Sequence, residues 1–246
     1  CMDSSLTFPP PPPTRASCCC FFLLLVVPTH NEPQQSSVVL AGSSVFCRVP
    51  SSAVCCSVSR CKVPTQAELL DLIRALGALR VNQLQLYVEH TFAFAGHEDA
   101  WQEASPLTPT EIRALDAACA DFGIELVPNL NTFGHMERWL RHPRYRALAE
   151  CPQGWIHPLT GLFKEFPGTL KPDDASLDFV AGLLDDYLPC FRSRQVNLGG
   201  DEPWELGQGF SKTAVAARGK HRVYLEHLRR LCALATSRGR TPQFWG

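Results

Sequence analysis

The sequence predicts an α/β fold built on a parallel sheet, a (β/α)8 TIM barrel truncated after about five strands. Three observations predict it. Short apolar runs recur at spacings of about 30 to 40 residues with amphipathic segments between them, the pattern of successive βαβ crossovers. Polar and aromatic residues gather directly after the runs, where barrel enzymes build their sites: Glu89 and His90 after the second, Asn131 and His135 after the third, Asp201 and Glu202 after the fourth, Trp245 after the fifth. No G-x-G-x-x-G or G-x-x-x-x-G-K-[ST] motif favours the competing doubly wound sheet.

Residues 1–52 differ from the rest. They hold the proline run Pro9 to Pro13, the apolar stretch CCCFFLLLVV from Cys18 to Val27, and a Ser- and Gln-containing stretch without periodicity. Proline runs favour polyproline II and stay out of a core, so this part reads as a low-complexity, disordered or non-native extension. Its apolar stretch is too short to span a bilayer, and only Arg15 precedes it as a signal peptide's positive charge. A cytoplasmic chain is slightly favoured over a secreted one. The barrel segment is 53–246.

Within that segment AVCCSV, Ala53 to Val58, reads as a first buried strand. Thr65 and Glu68 have capping-box spacing, and Leu69, Leu72, Ile73 and Leu76 form the apolar stripe of a helix. NQLQLYV, Asn82 to Val88, is a strand. Thr108 caps the next helix, with Pro109 at its first position, Glu111 closing the box and Gly123 ending it. Strand IELVPNLN, Ile124 to Asn131, a helix near Ala175 to Leu188, strand QVNLGG, Gln195 to Gly200, a long helix from Thr213 to Ser237 and a short strand in PQFWG complete the pattern.

A net charge of -1 and scattered Lys and Arg provide no basic field, so nucleic acid is not a partner class. Of twelve cysteines, eight lie within the first 61 residues. Cys119, Cys151, Cys190 and Cys232 are isolated and read as buried thiols. No H-x-H, H-E-x-x-H or spaced acid cluster supports a metal site, and no cofactor is implied.

The most informative stretch is RQVNLGGDEPWELGQG, Arg194 to Gly209, with adjacent acids behind a Gly-Gly pair at a strand end. Where the backbone turns there, both side chains can reach one barrel mouth, one carboxyl as a proton donor and the other as a stabilising anion. Glycoside cleavage needs that pair, because the leaving oxygen takes a proton while the sugar develops positive charge. The plain alternative is that Asp201 caps a turn and Glu202 is solvated.

The chain resembles glycoside hydrolase family 20, the β-N-acetylhexosaminidases, in their hexosaminidase D-like and bacterial branch. The resemblance is carried by SRCKVPT (59–65), NQLQLYVEHTFAFAGHE (82–98), the block 107–150 around NLNTFGHMERW, and VNLGGDEPWELGQG (196–209). It implies a TIM barrel and retaining, substrate-assisted removal of terminal β-linked N-acetylhexosamine from a glycan or glycoconjugate. In that scheme Asp201 orients the 2-acetamido group, whose oxygen attacks the anomeric carbon, and Glu202 is the general acid and base. It further implies that His135 helps set the protonation of the acid, that Glu89 or His90 faces the same mouth, and that Trp245 walls the acetamide pocket. Trp204 is either a rim platform or packing.

Two departures from the family pattern stand out. The family's first strand begins with an Arg-Gly pair and an Asp a few residues on, where Ser52-Ala53 and Ser57 stand here. The chain also stops after the fifth strand, and a barrel cut there has two open edges. The truncated chain alone is therefore expected to be poorly folded and inactive, and the alternative function is that of an inactive homologue or a carbohydrate-binding remnant.

Overall fold

The computed structural model describes residues 63–245, together with strands β1 (Leu23–Leu25) and β2 (Ser37–Leu40). Both strands fall inside the segment read from composition as an extension. They pair antiparallel, and β2 runs parallel to β3 (Gln83–Val88), the neighbour position that the sequence assigns to Ala53–Val58, which lies outside the described residues.

The expected helices and strands follow in the expected order, with short elements between them that the sequence pattern does not include. Helix α1 (Gln66–Ala78) starts at the reciprocal Thr65–Glu68 capping box and buries Leu69, Ile73 and Leu76. After β3 come a single turn α2 (Glu98–Trp101) and α3 (Pro109–Asp121), which opens on the Thr108–Glu111 box and buries Ile112, Leu115 and Cys119. Strand β4 (Glu125–Leu130) is followed by the turn α4 (Glu137–Leu140) and the hairpin of β5 (Trp155–Ile156) with β6 (Phe163–Lys164). Helix α5 (Asp174–Tyr187), capped by Asp173, leads to β7 (Gln195–Asn197).

The single helix expected from Thr213 to Ser237 is two: α6 (Lys212–Arg218) and α7 (Lys220–Ser237). Gly219 separates them at φ 85°, a left-handed backbone that breaks the helix and that glycine adopts without a Cβ penalty. Strand β8 (Thr241–Gln243) ends the sheet.

Strand order is β1-β2-β3-β4-β7-β8, with every pair from β2 onward parallel. Each crossover therefore adds its strand on the same side. A doubly wound sheet would reverse direction at a switch point, whereas a barrel winds on in one sense.

Alternation along β3 explains how the sheet positions a site. Leu84, Leu86 and Val88 point to the helix-covered core, while Gln83, Gln85, Tyr87 and, just beyond, Glu89 share the other face. That face is polar and internally bonded. The Gln85 amide donates to Gln83 Oε1 (3.2 Å) and Gln243 Oε1 (2.9 Å), and its oxygen accepts from Asn129 (3.0 Å) and Asn197 (3.1 Å). One side chain thus links β3, β4, β7 and β8. The four described cysteines are free thiols, three of them buried. No described helix is long and apolar enough to cross a membrane.

Candidate active site

The ends of β3, β4, β7 and β8 bring Glu89, His135, Asp201, Glu202 and Trp245 to one mouth, without His90 and Trp204. After β4 the chain turns sharply, held by Thr132 Oγ1 donating to Leu198 O (2.7 Å), Leu170 N–H to Phe133 O (3.0 Å) and Met136 N–H to Gly168 O (2.8 Å). This fixes His135 with φ 58°, left-handed for a residue with a side chain. After β7, Gly199 N–H donates to Asn197 Oδ1 (2.9 Å) and Trp245 N–H to Gly199 O (2.9 Å), and the backbone passes through φ 66° and 89° at Gly199 and Gly200. Glu202 also lies at φ 49°. Two of four described non-glycine residues with positive φ therefore face each other here, an arrangement costing on the order of 1 to 3 kcal/mol apiece that the surrounding bonds must sustain.

The side chains converge on His135. Its Nε2 is 3.3 Å from Asp201 Oδ2 and 3.5 Å from Glu202 Oε2, and its Nδ1 is 3.7 Å from Glu89 Oε1. Burial alone would push the imidazole pKa down, but the hydrogen-bonding Asp201 carboxylate and the charges of Glu89, Asp201 and Glu202 outweigh it, and the net direction is upward. Burial pushes Glu89 up to about 7, against the pull of His135 and the Tyr87 hydroxyl. Glu202 is the most open of the four, its side chain 52% exposed against 30% for Asp201.

Glu89, not His90, faces this mouth. Neighbouring residues at a strand end point apart; His90 is buried on the side of Arg138, Arg141 and His142, and its pKa is held down to about 3, chiefly by burial. The Glu89 backbone is fixed by the Trp139 indole, which donates to its carbonyl (2.7 Å) from an aromatic cluster with Phe94, Tyr145 and Phe179. Trp245 lines a cleft of about 620 Å³ with Asp201, Glu202, Leu206, Tyr224 and Phe244. Trp204 turns away toward His157, ring to ring at 5.7 Å. Among the described residues no group of three or more His, Cys, Asp or Glu could hold a metal ion.

The catalytic-domain model of glycosyl hydrolase family 20 matches residues 59–245. The chain belongs to that family. Human hexosaminidase D is 31% identical over 150 residues, covering 60% of this chain and 28% of that protein, and a β-hexosaminidase of Akkermansia muciniphila is 28% identical over 145 residues, 56% of this chain and 29% of that protein. The chain therefore spans well under half the length of these curated relatives. Among solved structures, the family 20 exo-β-N-acetylglucosaminidase of Vibrio harveyi, in complex with N-acetylglucosamine, superposes with a TM-score of 0.63 at 14% identity, over 75% of this chain and 33% of that one. The chitobiase of Flavobacterium johnsoniae does so at 0.60 and 19% identity, over 74% and 29%. The architecture is the family 20 TIM barrel, of which this chain is a part.

Two residues of this cluster escape sequence reasoning. Tyr87, whose hydroxyl is 3.3 Å from Glu89 Oε1 and whose ring meets His135 edge-on, was signalled by alternation, since it shares a face with Glu89. Tyr224 reaches the cleft from α7, and no local pattern marks a helix residue that arrives from across the mouth.

The shifted groups predict how stability depends on pH. Burial raises Glu89 and Glu205 to about 7 and about 8, so their contribution is complete below the usual 4.5 and is lost as pH rises through those values. His135, also raised, loses its contribution as pH rises through its folded value. His90 and His227, pushed down by burial to about 3 and about 4, act oppositely and cost stability only below 6.5. The opposing groups offset one another below 6.5, and only losses remain above it. Unfolding free energy, measured with urea, is expected to fall by on the order of 2 kcal/mol between pH 6.5 and 8.5. A flat or rising profile contradicts this.

Proposed function

We propose that this chain contributes the acid and acetamide-orienting half of a β-N-acetylhexosaminidase site, which removes terminal β-linked N-acetylhexosamine from a glycan or glycoconjugate. The observation that carries the reading is the sharing of one imidazole nitrogen by Asp201 and Glu202. We read two carboxylates that meet at one imidazole nitrogen as standing on one side of the sugar. On that reading neither serves as a nucleophile opposite the other, the arrangement of a retaining two-carboxylate mechanism. An internal nucleophile resolves this, and the 2-acetamido oxygen is the group that serves as one in the proposed mechanism.

In this mechanism Asp201 accepts a hydrogen bond from the acetamido N–H and turns its oxygen toward the anomeric carbon. Glu202, open to the cleft, gives its proton to the leaving oxygen and then takes one from water. His135, bracketed by Glu89 and the two acids, stabilises whichever carboxylate is charged. Trp245, Tyr224 and Phe244 wall the cleft and keep water from the cationic intermediate. The test compares a chromogenic N-acetyl-β-glucosaminide with the matching β-glucoside, using the chain alone and a version extended to the family's complete barrel. Cleavage confined to the acetamido sugar is expected; equal rates on both refute the internal nucleophile.

A further inference from the structure

We infer that Glu150 and Glu205 form a buried buckle that positions the loop carrying Glu202, so that both are positioning residues for the proton transfer; the link to catalysis rests on the function proposed above. Both side chains are wholly buried and lie outside the His135 cluster. Glu150 Oε1 accepts four hydrogen bonds from one short stretch of chain: Ser211 Oγ (2.6 Å), Ser211 N–H (2.9 Å), Gly207 N–H (3.2 Å) and Gly209 N–H (3.3 Å). Its backbone joins the same knot, accepting from Phe210 N–H (2.9 Å) and donating to Thr169 O (2.9 Å). Gly209 approaches so closely that a Cβ there would stand 2.0 Å from Glu150 O.

Glu205 fastens the other end. It lies three residues after Glu202, and its Oε1 accepts from Gly168 N–H at 2.5 Å. Gly168 O in turn accepts from Met136 N–H, next to His135. A continuous path of bonds thus runs from the loop of the acid, through Glu205 and Gly168, to the loop of the histidine that faces the acid.

This buckle depends on a proton. The charged groups acting on Glu205 are Glu150 and Glu137, both acids, and the neighbouring Cys151 thiol is itself pushed up to about 12, first by burial and then by Glu205 and Glu150. Burial is the largest reason that Glu205 keeps its proton up to about pH 8, outweighing the Gly168 and Thr169 N–H groups, which favour the charged form. Above that, a charge appears in a buried space already holding Glu150, and the loop 205–211 loosens.

Hydrogen exchange at Gly168, Gly207, Gly209 and Ser211 tests the buckle in the 246-residue chain whether or not it cleaves sugar. After correction for intrinsic rates, protection at these amides is expected to fall about tenfold or more between pH 6 and 9, and to stay level in Glu205→Gln, which cannot ionise. Unchanged protection in the parent chain, or an equal fall in Glu205→Gln, overturns the inference. Ser211→Ala removes one of the four donors and also the hydroxyl that accepts from Gly207 N–H (2.8 Å), so the readout is Gly209, whose protection is expected to fall; no change there counts against the buckle. Where turnover is measurable, Glu205→Gln is expected to move the alkaline limb of kcat upward with KM unchanged, a shift that a purely structural role does not produce; an unmoved limb overturns the positioning role while leaving the exchange result to stand on its own. Absence of turnover in the parent chain bears on the proposed function and not on the exchange measurement.

Discussion

Glu202→Gln is expected to lower kcat on an alkyl N-acetyl-β-glucosaminide by roughly 10² to 10⁴-fold, the usual contribution of general acid catalysis. The amide keeps the size of the carboxyl and its hydrogen-bonding reach to His135, but has no proton to release. The loss should depend on the leaving group. An alkoxide departs poorly without a proton, whereas a nitrophenolate is stable as an anion, so the same variant should lose much less on a nitrophenyl substrate during bond cleavage. KM should change little, because Glu202 is more than half exposed at the cleft and glutamine keeps its size and its polar contacts there. Equal losses on both substrates would argue that the substitution disturbs the loop and not the proton. Unaltered turnover on the alkyl substrate would remove Glu202 from its role.

The adjacent acids were legible in the sequence because a strand end with Gly-Gly before it is a local pattern, and local patterns survive without the fold. The same holds for the two capping boxes, whose Thr and Glu residues bond each other across three positions, as their spacing requires. What the sequence hid depends on approach between distant segments. Trp204 stands two residues from Glu202 yet meets the His157 ring of the β5–β6 hairpin at a tilt, a contact that no spacing encodes. Glu150 sits in an unremarkable LAEC stretch and becomes a four-donor acceptor only when residues 207–211 fold over it. The helix broken at Gly219 shows the reverse case: the glycine was visible, but an amphipathic pattern on both sides outweighed it.

Gly134 is the sharpest instance of such approach, and Gly134→Ala is expected to be the most damaging small substitution at the site. A Cβ at this position would lie 2.2 Å from Asp201 O and 3.2 Å from the carbonyl carbon and oxygen of Glu202. All three are backbone atoms, so no side chain can swing aside to make room. Either loop could move in principle, but both are anchored. Thr132 and Met136 tie the histidine loop on each side, and Gly199 and Trp204 hydrogen bonds brace the loop of the acids. The added methyl must therefore separate His135 from Asp201 and Glu202 or strain one of the anchors, at about 1 to 3 kcal/mol of stability. Because His135 Nε2 now reaches both acids within 3.5 Å, a displacement of even about 1 Å breaks the shared contact and should cost on the order of 10²-fold in kcat. The measurement is paired: denaturant unfolding for the stability loss, and the pKa of His135 by ring-proton NMR for the separation. With the carboxylates moved away, the imidazole should titrate lower than in the parent chain, since their charge is what outweighs its burial. A variant that keeps the parent's histidine pKa and turnover would show that the two loops are not in the contact on which the site depends.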